Sequence, residues 1–197
     1  MISGVRQALS CFVAFVSLFP AGAVSAADWG VEQLMRDLAQ VQTARARFTE
    51  RKHMAILNTP LDSSGTLLFV APAKLEKHTL APRRESIVLD RDRLTLENKE
   101  RNQRRTIALQ DYPVIWAFIE SIRSTLAGDL ATLRRFYQVS LDGDERQWRL
   151  VLKPVEPAMR DVVSEIRIGG SRDQIGTMEI IETNGDRSMM TITREVS

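Results

Sequence analysis

The residues able to do chemistry are few. Histidine occurs twice, as His53 and His78. Both fall in strand-like stretches without an acidic partner at metal-ligand spacing, which predicts exposed or hydrogen-bonded imidazoles rather than a metal site. Asp142 and Asp144 form a carboxylate pair of the kind used in acid–base work. Turn formation around Gly143 explains them better. Arg101, Arg104 and Arg105 have the chemistry to meet phosphates or lipid headgroups, but a solvated turn is the simpler account. No G-x-S-x-G elbow, H-E-x-x-H helix or phosphate-cradling glycine loop is present. Gly169-Gly170 reads only as a turn signal.

Thiol chemistry is excluded by the expected processing. Residues 1–26 read as a cleaved signal peptide, with Arg6 as the basic start, residues 8–19 as the apolar run and Pro20 as its breaker. Val24-Ser25-Ala26 offers small residues for cleavage before Ala27. Leu9-Ser10-Cys11 resembles an acylation box but lies inside the apolar run, so lipidation at Cys11 is rejected. Cys11 is the only cysteine, and the mature chain is therefore expected to hold no disulfide, thiol nucleophile or thiolate ligand. The run is too short to span a bilayer. Export and release are expected, with the periplasm of a double-membraned bacterium as the destination.

The remaining residues, 27–197, fit one domain with a real core. Hydrophobic content of 44% and charged content of 26% are ordinary for a globular chain. A net charge of +2 points to neither nucleic acid nor a strongly membrane-attracted surface.

Residues 28–46 predict an amphipathic helix, with Asp28 as cap and Val31, Leu34, Met35, Leu38 and Val41 on one face. From Ala44 the period becomes two, and Arg45, Arg47, Thr49, Arg51 and His53 form a solvated basic face. Residues 58–64 are turn chemistry. Strands then follow at 65–70, 74–80, 85–90, 94–98 and 104–109, linked by tight turns. Tyr112-Pro113 opens a helical segment running to Phe136, with Gly128 ending one helix and Asp129 capping a second. Strands resume at 137–141, 148–153, 163–168, 174–183 and 187–194. Asp142-Gly143-Asp144 and Asn184-Gly185 are hairpin signals.

These elements predict an α+β fold of about ten or eleven antiparallel strands, with one helix before them and helices inserted after the sixth. Such a meander curls as its strands twist. A strongly curved sheet forming an incomplete β-barrel is expected, with the N-terminal helix and the 113–136 helices covering its concave face.

A chain of this kind without a catalytic constellation is more suited to binding than to transformation. Its surplus apolar surface suits an oily ligand. Each lipid methylene gains about 0.8 kcal/mol on leaving water, so a chain of about a dozen is worth roughly 10 kcal/mol. Leu, Ile, Phe and Met can line such a space without hydrogen-bond demands.

From the first helix onward the chain resembles the LolA-type outer-membrane lipoprotein carriers. The resemblance is carried by Ala46-Arg47-Phe48-Thr49-Glu50, by Gly65-Thr66-Leu67-Leu68-Phe69-Val70 with Pro72, and by Pro82 with Glu85-Ser86-Ile87-Val88-Leu89-Asp90. The inserted helices, Leu150-Val151-Leu152-Lys153-Pro154 and Gly185-Asp186-Arg187-Ser188 complete it. Ala71 stands before Pro72 where many carriers have a basic residue, and Leu75-Glu76-Lys77-His78 lacks an aromatic common there. These departures resemble a divergent, LolA-related branch associated with export of other lipids or glycolipids. The resemblance implies a non-enzymatic carrier without cofactor, taking an acylated cargo, either lipoprotein or glycolipid. It implies an inner-membrane exporter and an outer-membrane acceptor as partners, no nucleic acid, and action as a monomer.

The candidate cavity wall is Phe48, Leu67, Phe69, Ile87, Leu89, Leu150, Leu152, Ile166, Ile168, Met178 and Ile180, faced from the lid by Trp116, Phe118, Ile119 and Ile122. With strand parity read from alternation alone, roughly a third of these are expected to point outward. The rival reading is a sensor that uses the same pocket to detect mislocalised lipid and signals through a protein partner. A weaker one is a hydrolase of lipid or cell-wall material.

Overall fold

The computed structural model describes residues 29–195. The expected signal peptide with Cys11, and Asp28, lie outside them.

Helix α1 (Val31–Ala39) buries Leu34, Met35 and Leu38, and Gly30 stands at its N-cap. It stops well short of residue 46. The two-residue alternation begins already at β1 (Thr43–His53), where Ala46 and Phe48 are buried and the basic face is exposed. Strand β2 (Leu61–Val70) starts inside the expected turn. β1 runs on to His53 and offers ladder partners to Leu61, Asp62, Ser63 and Ser64, and pairing overrides their weak β-propensity. β3 (Lys74–Ala81), β4 (Glu85–Asp90), β5 (Arg93–Asn98) and β6 (Gln103–Ala108) complete a meander.

A single 3-10 turn, Leu109–Asp111, leads into α2 (Pro113–Leu126) and α3 (Leu130–Phe136). Gly128 between them has φ +67, and a Cβ there would lie 2.1 Å from the Met35 carbonyl oxygen of α1. Only glycine fits that turn and that approach. Asp129 caps α3 by accepting from the Thr132 N–H at 2.9 Å.

Strands β7 (Tyr137–Asp144) and β8 (Gln147–Pro154) precede the short α4 (Pro157–Arg160), and β9 (Val163–Ser171), β10 (Gln174–Glu182) and β11 (Arg187–Arg194) follow. Two expected turns are displaced. Asp142 and Gly143 lie inside β7, and the hairpin turns at Glu145-Arg146, where Asp144 Oδ1 accepts from the N–H groups of Arg146 and Gln147 at 2.8 and 3.0 Å. Gly169 and Gly170 lie inside β9. A Cβ on Gly170 would come within 2.4 Å of the Trp148 ring, so this glycine makes room for an indole. Asn184-Gly185 does form the β10–β11 turn.

All eleven strands join one antiparallel sheet in the order β6-β5-β4-β3-β2-β1-β11-β10-β9-β8-β7. The first and last strands therefore meet in the middle, joining a β1–β6 wing to a β7–β11 wing. The sheet is open, with β6 and β7 as its edges. Two apolar clusters fill one side of it. The larger packs Leu34, Met35 and Leu38 of α1 and Leu133 of α3 against Trp148, Leu150, Leu152, Ile166 and Ile168. The smaller gathers Leu89, Leu94, Ile107 and Leu109 beneath Ile119 of α2. Among the described residues no helix is long and apolar enough to cross a membrane.

Candidate ligand-binding cavity

Between the two clusters lies a cavity of about 340 Å³, at the lower end of the range typical of small-molecule sites. Its wall comes from both wings and from the helices. β1 and β2 contribute Ala46, Leu67 and Phe69, β3 to β5 contribute Leu75, Ile87, Leu89 and Leu94, and β9 to β11 contribute Ile168, Met178, Ile180, Met190 and Ile192. Leu38 and Val41 close one side, and Phe118, Ile119, Ile122 and Leu126 of α2 form the roof.

The register places all eleven strand candidates on the helix-covered face; none points outward. Ala46 pairs with Leu67, Leu67 with Lys77 and Lys77 with Ile87 across one wing. Glu50, two residue pairs from Ala46 on the same face, leads through Met190, Met178 and Ile168 to Leu150 across the other. Of the fifteen sequence candidates, Leu67, Phe69, Ile87, Leu89, Phe118, Ile119, Ile122, Ile168, Met178 and Ile180 line the cavity.

The other five do not. Leu150, Leu152 and Ile166 are wholly buried in the larger cluster, covered by α1, α3 and α4, so they fill space rather than bound it. Phe48 is buried with its ring under the Lys77 ammonium. Trp116 is 38% exposed. It lies about a third of a turn from the middle of the roof-forming face, tilted against Phe136, and its Nε1 donates to Glu120 Oε1 at 2.9 Å.

Polar residues of α2 are buried as well as apolar ones. Glu120, Ser121, Ser124 and Thr125 are buried. Ser121 and Thr125 satisfy their hydroxyls by donating to the carbonyls of Phe118 and Ser121, each at 2.6 Å. Glu120 accepts from Trp116, Arg123 and Ser124. Below them, Tyr137 donates to the Ala117 carbonyl at 3.1 Å, and burial pushes its phenol up to about 12.

Sequence reasoning missed the polar residues on the wall. Glu50 and Lys77 both line the cavity and form an ion pair of 2.5 Å. Burial alone would raise the Glu50 carboxyl. Hydrogen bonds from Lys77, Ser188 and Ser63 outweigh it and hold the group below its ordinary value. The alternation at 46–50 carried the signal, because Glu50 falls on the same face as Phe48. His78 is the hydrogen-bonded imidazole expected, its Nε2 lying 2.8 Å from Glu76 Oε2 two residues away on the same strand face. Among the described residues no group of three or more metal-ligating side chains is gathered. Arg104 and Arg105 sit in β6 rather than in a turn, and Arg105 donates to the Tyr112 hydroxyl at 2.9 Å.

The architecture is that of a helix-covered open sheet with an apolar chamber. A family model described as "Outer membrane lipoprotein carrier protein LolA-like" matches residues 21–193, and the chain belongs to that family. Solved structures with similarity include a LolA superfamily protein from Nitrosomonas europaea, at 7% identity and TM-score 0.45 over 85% of this chain and 95% of that one. The MucA/MucB complex of Pseudomonas aeruginosa matches at 15% identity and TM-score 0.46, over 85% of this chain but only 58% of that one. A putative outer membrane lipoprotein-sorting protein domain from Vibrio parahaemolyticus matches at 9% identity and TM-score 0.43, over 85% and 93%. No curated protein matches.

Proposed function

We propose that this protein is a periplasmic carrier that hides the acyl chains of a lipoprotein or glycolipid during transfer from the inner to the outer membrane. The observation that carries the reading is the apolar cavity under α2, together with family membership. The same reading takes the sheet as an incomplete barrel. Leu94 of β5 and Ile168 of β9 line one cavity although seven strand-to-strand steps separate them. On a flat sheet those steps would span about 34 Å, which favours wings that bend toward each other beneath the lid. Release of cargo then needs only that α2 lift, with no covalent step and no cofactor.

The test is native mass spectrometry of the protein purified from its own periplasm. Bound diacylglyceryl or glycolipid mass is expected on the wild type. Ile119→Asp and Ile122→Asp, which put charge on the roof, should strip it, whereas Trp116→Asp on the outer side should retain it. A wild type consistently free of lipid, or roof variants that keep their lipid, would defeat the carrier reading.

A further inference from the structure

The cavity wall is mostly apolar, yet Glu50 of β1 and Lys77 of β3 bring a carboxylate and an ammonium onto it. The carboxylate is well satisfied. It accepts from Lys77 Nζ at 2.5 Å, from Ser188 Oγ at 2.6 Å and from Ser63 Oγ at 3.4 Å. The ammonium is not. It has three donors, and one is used on Glu50. Its other contact is the face of the Phe48 ring, 4.9 Å from Nζ to the centroid. No second hydrogen bond from Nζ is formed among the described residues.

A container for hydrocarbon alone gains nothing from such a pair. Taking two charges out of water is costly, and apolar residues of similar size would serve as well or better. The surroundings of Lys77 also suit an amphiphile. On the helix-covered face it pairs across the sheet with Ile87, which pairs with Leu96, which pairs with Arg105. Ile87 and Leu96 are 39% and 37% exposed, an apolar sill with a cation at each end. With Glu50 already occupied by three donors, the unused capacity of this pair is for an acceptor; Arg45, Glu76, Asp173 and Arg194 also border the cavity.

We propose that Lys77, steadied by Glu50 and Phe48, is the headgroup anchor of the cavity, and that its free N–H groups bind an anionic oxygen at the head of an acyl amphiphile whose tail fills the apolar space. The ligand class is a carboxylate- or phosphate-headed lipid. This rests on reading the cavity as an acyl-chain site.

The experiment is calorimetric titration of the mature chain with four probes of equal tail: myristate, 1-myristoyl lysophosphatidate, neutral monomyristin and cationic tetradecyltrimethylammonium. A charge-assisted hydrogen bond corresponds to a preference of about tenfold or more for anionic heads over the cationic one. The ranking of myristate against lysophosphatidate tells which anionic head is favoured. The double variant Glu50→Gln/Lys77→Met leaves no unpaired charge behind, and its preference ratio should fall to about one. Lys77→Arg should restore part of it. Equal binding of all heads by the wild type, or an unchanged ratio in the double variant, overturns the anchor while the carrier reading stands. Displacement of both anionic probes by inorganic phosphate alone also overturns it. Failure of every probe to bind, the neutral one included, defeats the carrier reading and the anchor together.

Discussion

Against β7–β9 lie α1, α3 and α4, and between them the side chains of Leu34, Leu133, Leu150, Leu152, Met159 and Ile166 are essentially without exposure. Against β3–β6 the smaller cluster gathers beneath α2, whose Phe118, Ile119 and Ile122 roof an open space. The two wings share one antiparallel ladder and similar inward Leu and Ile residues. Their difference lies in the cover. Three helices supply enough side-chain volume to close-pack one wing, and the second wing has too few partners to do so. Among the polar residues, Glu50, Lys77 and Thr125 border the hollow, whereas the largest fully buried side chains of the packed wing are apolar apart from the Tyr137 hydroxyl and the Trp148 indole N–H. A sheet face rich in leucine thus becomes a core or a container according to what is laid over it.

Substitutions can break this contrast. The largest effect is expected from Leu150→Ala in the filled wing, with a loss of about 2–5 kcal/mol from transfer and cavity terms, read by urea denaturation. An equal loss for Leu67→Ala, whose side chain already borders empty space, would erase the distinction. Next comes enlargement. Ala117→Leu, in the packed cluster, should cost about 1–3 kcal/mol by overpacking. Ala46→Leu projects into the cavity and should leave stability unchanged or raise it by about 0.5–2 kcal/mol, while reducing lipid retained in native mass spectra. Asp129→Ala removes the α3 cap that helps hold the roof's far end, at about 1 kcal/mol.

The smallest effect is a dependence on pH. Glu50 is held below its ordinary value of 4.5 in the folded chain, so its contribution is present above that value. It is lost as acid protonates the folded group. The stability difference between wild type and Glu50→Gln/Lys77→Met should therefore change between about pH 5 and about pH 3 and be flat above. A difference constant through that window would mean that Glu50 is not ionised on the wall.

The order of elements was legible because it rests on local chemistry. Period-two runs became strands, Tyr112-Pro113 and Gly128-Asp129 bounded the helices, and Asn184-Gly185 turned the last hairpin. The misreadings have tertiary causes. Gly143 and Gly170 look like turn residues, yet one lies opposite Trp148 and the other makes room for its ring. Trp116 is expected from sequence to face the cavity from the lid, but its indole finds a carboxylate four residues on and turns outward. Leu150 and Ile168 share one face of the sheet, and only the placement of α1 and α3 decides that the first is sealed and the second borders the cavity. Lys77 gave no hint of its role, because its partner lies 27 residues away.

The seam where β1 meets β11 has a kinetic corollary. Ala46 is laddered to Arg194, and Arg47 bonds to Glu195 across 148 positions of chain. Until that closing strand arrives, the halves remain separate hairpin stacks with no shared interior. Contacts so remote in sequence make assembly slow, and they make it all-or-none at the centre. A partly synthesised molecule thus has no chamber, which forms only with the final ladder.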